Sequence, residues 1–117
     1  MELTPAVVEQ LVTRLFAAPD RGAATAMLSE HARHANHPEV VRVQVAVLKL
    51  SDGQPDRLRQ MLTHAMNDYR DVLAWAEYPA QTVSPVTGLT AAQKTELIQA
   101  DEGQYLAWLG AHIDDAS

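Results

Sequence analysis

Two apolar tracks at spacing four, Val7, Leu11, Leu15 and Val8, Val12, Phe16, run beside Glu9, Gln10, Thr13 and Arg14. That spacing predicts an amphipathic helix over residues 4–17. Thr4-Pro5 marks its start with a capping hydroxyl and a proline whose missing N–H the first turn would leave unbonded anyway; Pro19 marks its end. Asp20 is then placed to cap a second helix, on which Ala24, Met27, Leu28 and His31 share a face of mostly small side chains. Asn36-His37-Pro38-Glu39 is another start signal. Beyond it, Val41, Val43, Val45 and Val47 alternate as a strand would, while Glu39, Arg42, Ala46 and Lys49 recur at three and four as a narrow exposed stripe on a helix. Asp52-Gly53 adds a left-handed stop, so the segment reads as a largely buried central helix.

Pro55-Asp56 restarts the chain after a short turn, which makes this helix and the next antiparallel neighbours. Leu58, Leu62, Ala65, Tyr69, Val72 and Ala76 keep a helical rhythm throughout. Asn67-Asp68, with Asp71 following, could cap a fresh helix, so one kinked rod and two consecutive short helices both fit residues 55–78. Pro79 closes the segment, and residues 80–90 lack apolar periodicity and read as an internal loop. Thr90-Ala91-Ala92-Gln93 matches a reciprocal capping pattern. It opens a helix on which Leu97, Ile98, Tyr105 and Leu109 can face the bundle, with Gly103 a potential kink and residues 114–117 a frayed tail. The expected fold is all-α: a single domain, residues 1–117, built as a bundle of five or six helices.

Composition narrows the function classes. The 117 residues carry nine Lys and Arg against fifteen Asp and Glu, a net charge of −6, which opposes the phosphate attraction behind most nucleic-acid binding. Residues 80–117 hold one Lys against five acids, so the acidity is concentrated at the end. With no Cys, disulfides, thiolate metal sites and cysteine nucleophiles drop out together. Glu2, Glu9 and Arg14 interrupt the apolar N-terminus, which does not read as a signal peptide. Apolar runs such as Val45–Leu48 are far short of a membrane span. A soluble cytoplasmic protein is expected, with neither a nucleic-acid nor a membrane partner.

The strings Arg42-Val43-Gln44, Leu48-Lys49-Leu50, Asp68-Tyr69-Arg70-Asp71-Val72-Leu73-Ala74-Trp75-Ala76-Glu77-Tyr78-Pro79 and Gln104-Tyr105-Leu106-Ala107-Trp108-Leu109 give the chain a likeness. It resembles small bacterial helical proteins of unassigned function that share the segment from Asp68 to Pro79. The resemblance covers the middle third and a piece near the end. It implies a compact helical fold and brings no catalytic or binding residue with it.

Among residues that carry chemistry, His31, His34 and His37 stand beside Glu30 and Glu39, imidazole and carboxylate being the zinc ligands left when thiolates are absent. The first two share a helical face, but the third lies past the expected helix end. Histidine at a helix C-terminus, suited to the dipole, is the favoured reading, and no metal or other cofactor is assigned. On a continuous long helix, Arg57, His64, Asp68, Asp71 and Trp75 would line one border, with His64 and Asp68 able to pair. Acid–base catalysis would also need a cleft and an oxyanion donor, and neither a glycine-rich phosphate loop nor a nucleophile elbow is present, so no catalytic residue is assigned. Arg42, Lys49, Arg57 and Arg59 could form a basic strip, though solubility charge is the commoner reading. Tyr69, Tyr78 and Tyr105 read as packing residues.

The sequence therefore favours a noncatalytic helical interaction module over an enzyme, with a second copy of itself or another protein as partner. Apolar surface left over on the first helix, at Val8, Val12 and Phe16, and the flanking Trp75 are the expected interface. The alternative is a small enzyme or ligand-binding protein that uses a pocket in the bundle or the histidine cluster.

Overall fold

The structure, a computed structural model, describes residues 3–35, 37–83 and 88–113. Among these, every regular element is helical: α1 (Pro5–Leu15), α2 (Ala18–His34), α3 (Val40–Ser51), α4 (Pro55–Glu77), α5 (Pro79–Val83) and α6 (Ala91–His112). The all-α bundle of six helices is as expected. The Asn36 cap, residues 84–87 of the expected loop and the tail at 114–117 lie outside the described residues. None of the described helices is long and apolar enough to cross a membrane.

α3 is the central element. Val43, Val45, Ala46, Val47 and Leu48 are fully buried, with α4 packed along one side and α1 along another. This explains the valine alternation: nearly the whole circumference of the helix is covered, so the apolar positions show no clean helical period. Ala46 is buried rather than part of an exposed stripe, and Arg42 and Lys49 are half-buried. Gln44 is buried too and donates from Nε2 to the Leu28 carbonyl at 2.9 Å, tying α3 to α2. The stop works as its residues suggest. Asp52 (φ 52°) and Gly53 (φ 75°) take left-handed conformations, and a Cβ on Gly53 would collide with the Leu15 carbonyl oxygen at the end of α1.

Pro19 does not end α1, which stops at Leu15; it is the second residue of α2. A ring that fixes φ near the helical value suits a first turn, so proline serves the helix it enters. Asp20 consequently lies within that turn, beside the positive end of the helix, instead of capping it. α4 settles the question left open over residues 55–78: two helical segments meet at Asp68, whose backbone (φ −155°, ψ 100°) is extended. Asp68 Oδ1 accepts the Arg70 N–H at 3.1 Å, the geometry of an N-cap for the second segment.

The expected loop begins with α5 instead. Pro79 supplies a first-turn residue, and the buried Asp101 carboxylate on α6 accepts the Ala80 and Gln81 N–H groups at 2.8 and 3.1 Å. A cap delivered from another helix leaves no local sequence signal. α6 starts at a complete Thr90–Gln93 capping box and runs unbroken through Gly103. Only Asp101 and Leu109 of its 22 residues are buried. Ile98, expected to face the bundle, is exposed, because over residues 91–100 only Leu97 is even half-covered.

Candidate functional site

α2 turns its Ala24, Leu28 and His31 face inward against the bundle, so an imidazole occupies a core position. His31 is 4% exposed, and neither ring nitrogen has a hydrogen-bond partner. Burial first, and the neighbouring His37 second, hold its pKa below the usual 6.5, favouring the neutral ring. The chain then reverses towards α3 and carries His37 back beneath α2, its ring centroid 6.3 Å from that of His31. His37 stacks on Tyr69 at 4.2 Å and 15°. Its Nδ1 accepts the Glu39 N–H at 3.1 Å, while its Nε2 is buried without a partner. Tyr69 is in place for this stack because it opens the second segment of α4 after the Asp68 break.

Two adjoining clefts flank these rings. One, of about 280 Å³, lies between α2 and α4, with Met27, Leu62 and Met66 as apolar wall, His31 beneath, and Glu30, His34, Arg59 and Thr63 around them. The other, of about 400 Å³, shares His34 and Met66 and continues past His37 to the Asp68–Arg70 turn. Arg70 donates to both carboxylate oxygens of Asp68, at 3.1 and 3.3 Å, and holds that carboxyl below its usual pKa.

His34 is exposed and engaged elsewhere: its Nε2 lies 2.8 Å from Glu30 Oε1, and Arg33 donates to the second oxygen at 3.2 Å. Histidines 31, 34 and 37 therefore do not converge, and no group of three or more His, Asp and Glu among the described residues is arranged to hold a metal ion. The imagined His64–Asp68 pair is not formed either, because the helix breaks at Asp68 and its carboxylate serves Arg70. The same break lets His64 and Trp75, which a straight helix would space about 16 Å apart along its axis, meet edge-on at 5.3 Å.

The interface residues read from the sequence fare differently from expectation. Val8, Val12 and Phe16 are buried in the chain's own core, because α2 and α3 both pack on α1 and cover its two tracks. Trp75 is half-buried against that core, with His64 on its ring. Among the described residues, the large apolar side chains that remain exposed are Met66, Tyr78, Ile98 and Leu106.

A second polar cluster gave no sign in the sequence. Arg42 on α3 donates to both oxygens of Glu77 at the end of α4, at 2.8 and 2.6 Å, although Glu77 is 8% exposed. The pair raises the Arg42 pKa, chiefly through its hydrogen bond to Glu77. Nearby, the Tyr105 hydroxyl is buried with no partner, and its pKa is pushed up mainly by burial. Lys49 is half-buried, its pKa lowered by that burial, while Arg57 and Arg59 are exposed. With Arg42 committed to Glu77, the basic strip does not exist as a shared anion site. No protein-family model, curated protein or solved structure matches the chain.

Proposed function

We propose that the protein is a noncatalytic helical interaction module that pairs with a second copy of itself through the outer face of α6. The observation that carries this reading is the run Gly103, Leu106, Ala107 and Gly110, all exposed on one side of α6, with Leu106 at 61% exposure. A Cβ on either glycine would meet nothing within 4 Å. Each helix-interior glycine costs about 0.8–1.0 kcal/mol relative to alanine, and the chain's own packing offers no return for it. A neighbouring helix would, since small residues let two backbones approach closely and Leu106 would then lose its contact with water. A twofold pairing repeats the same patch on both copies, so a single substitution acts twice.

Light scattering across a dilution series tests the proposal. We expect a dimer for the wild type and a monomer for Leu106→Glu, with unchanged helicity in both because Leu106 supports no core contact. Gly103→Ala separates the readings by sign. In a free monomer it strengthens α6, whereas in a closely packed dimer it weakens association. A wild-type monomer at every concentration up to the millimolar range refutes self-association.

A further inference from the structure

Three ring nitrogens between α2 and α4 are buried without a partner, both those of His31 and Nε2 of His37. Buried polar atoms nearly always find a partner, so each exception needs a physical reason. Because the Glu39 N–H occupies the lone pair of His37 Nδ1, neutral His37 carries its proton on Nε2. That nitrogen is a donor and is barred from ligating a metal. Neutral His31 offers one donor and one acceptor in either tautomer. What the two rings lack in common is an oxygen that accepts from both.

The adjoining cleft indicates what would carry that oxygen. Its volume of about 280 Å³ equals about nine water-sized volumes, which suits a chain of several carbons. Its wall of Met27, Leu62 and Met66 is apolar, and the two methionines can adapt their shape to such a chain. We propose that the α2–α4 cleft binds a medium-chain monocarboxylate, its hydrocarbon against Met27, Leu62 and Met66 and its carboxylate at the junction with the second cleft, accepting from His31, which lines the first, and His37, which lines the second.

A buried carboxylate needs a counter-charge. His31 supplies it by taking up a proton as the ligand enters, so the bound pair adds no net charge to the interior. Among the described residues, the acids that border the two rings are already engaged. On α2, Glu30 is held by Arg33 and His34; on α4, Asp68 is held by Arg70; and Glu39, ahead of α3, lies 3.7 Å from Arg42. Of the cations that line the clefts, Arg70 is held by Asp68 and Arg59 lies 3.8 Å from Asp56, so the counter-charge falls to His31, and Tyr69 holds His37 in place by stacking. Before binding, burial and His37 lower the pKa of His31 and favour its neutral ring, so the proton it takes up on binding comes from solvent.

Isothermal titration with sodium octanoate at about pH 6, 7 and 8, repeated in buffers of different ionisation heat, tests the site, with octan-1-ol as the headgroup control. We expect uptake of about one proton per octanoate, an affinity that rises towards acid by up to about tenfold per pH unit, and octanol at least about tenfold weaker. His31→Gln should abolish the proton uptake. Met66→Glu, at an exposed position that leaves the core intact, should weaken octanoate binding by at least about tenfold. Octanol binding as tightly as octanoate, octanoate binding that ignores pH, or no binding at millimolar octanoate would each overturn the proposal.

Discussion

Replacing Asp101 by alanine removes three contacts that join α6 to α5. Asp101 is 1% exposed, and its carboxylate accepts from the Ala80 N–H at 2.8 Å, the Gln81 N–H at 3.1 Å and Gln81 Nε2 at 2.9 Å. Hydrogen bonds to a charged group contribute about 1.5–3 kcal/mol each, but these three are not independent. Trimming the side chain also lets water reach the freed amides, which are only partly buried. The expected net loss is about 3 kcal/mol, a large share of the roughly 5–15 kcal/mol that stabilises a domain. With a urea slope of about 1.5 kcal/mol/M, the unfolding midpoint, read by circular dichroism, should fall by about 2 M at constant slope. Asp101→Asn keeps the shape and one acceptor but turns an amide N–H towards a donor, so it should lose about half as much. Hydrogen exchange gives a local readout: in Asp101→Ala the Ala80 and Gln81 amides should lose protection while those of α3 keep theirs. A midpoint shift below about 0.3 M, or equal losses for the two variants, would refute the idea that a charged acceptor from α6 holds α5 in place.

Gly53→Ala should destabilise the protein by at least about 2 kcal/mol, combining left-handed strain with the collision against the Leu15 carbonyl. Gly88→Ala, also at positive φ but in open space, should cost only about 1 kcal/mol, and equal urea midpoints for the two would disprove the collision. Arg42→Met strands the buried Glu77 and should cost about 2–4 kcal/mol, less than a fully enclosed pair because the arginine is 37% exposed. Glu77→Gln leaves an arginine that can rehydrate and should cost about 1–2 kcal/mol; the reverse order in denaturation would reject the asymmetry. His31, held below its ordinary 6.5 chiefly by burial, binds fewer protons folded than unfolded. Its contribution is therefore complete above about pH 6.5 and lost as the pH falls from there through the folded pKa. Urea midpoints between about pH 7.5 and 5.5 should drop more for the wild type than for His31→Gln.

Much of the fold was legible because helix starts and stops are local chemistry. Pro5, Pro55 and the Thr90–Gln93 box mark starts and Asp52-Gly53 marks a stop, and each acts within a few residues of its own position. Asp68 belongs with them, since its cap reaches only to Arg70. Pro19 was misread because a proline both breaks a helix behind it and suits the first turn of one ahead, and the sequence does not say which neighbour it serves. The leftover surface assigned to Val8, Val12 and Phe16 fails for a different reason. The width of an apolar face shows how much a helix can bury, but the number of neighbours that bury it is set by the whole bundle. Arg42 with Glu77, and Ala80 with Asp101, are joined across 35 and 21 residues, and no short-range pattern announces such pairs. His31 fitted the sequence reading as a face residue; that it would be enclosed without a partner depended on what α4 and His37 brought against it.

The two proposed sites are where local choices and the chain's own packing disagree. Elsewhere, the partnerless Tyr105 hydroxyl apart, the agreement is close: buried Gln44 has its carbonyl, buried Glu77 its arginine and buried Asp101 its amides. Where every level of a sequence supports one fold, the places that do not are the ones to examine for function. A partnerless imidazole in the core and helix-interior glycines facing open space are departures of that kind, and they differ in nature. His31 lacks something polar and small, whereas the α6 face lacks something extended and apolar. They also sit on different helices: α2 and α6 are not among the principal packing pairs of the bundle. A ligand between α2 and α4 would therefore leave the α6 face as it found it, and a second copy on α6 would leave the histidines equally partnerless. Neither occupant can account for the other's site, so one module would carry two separate recognition surfaces.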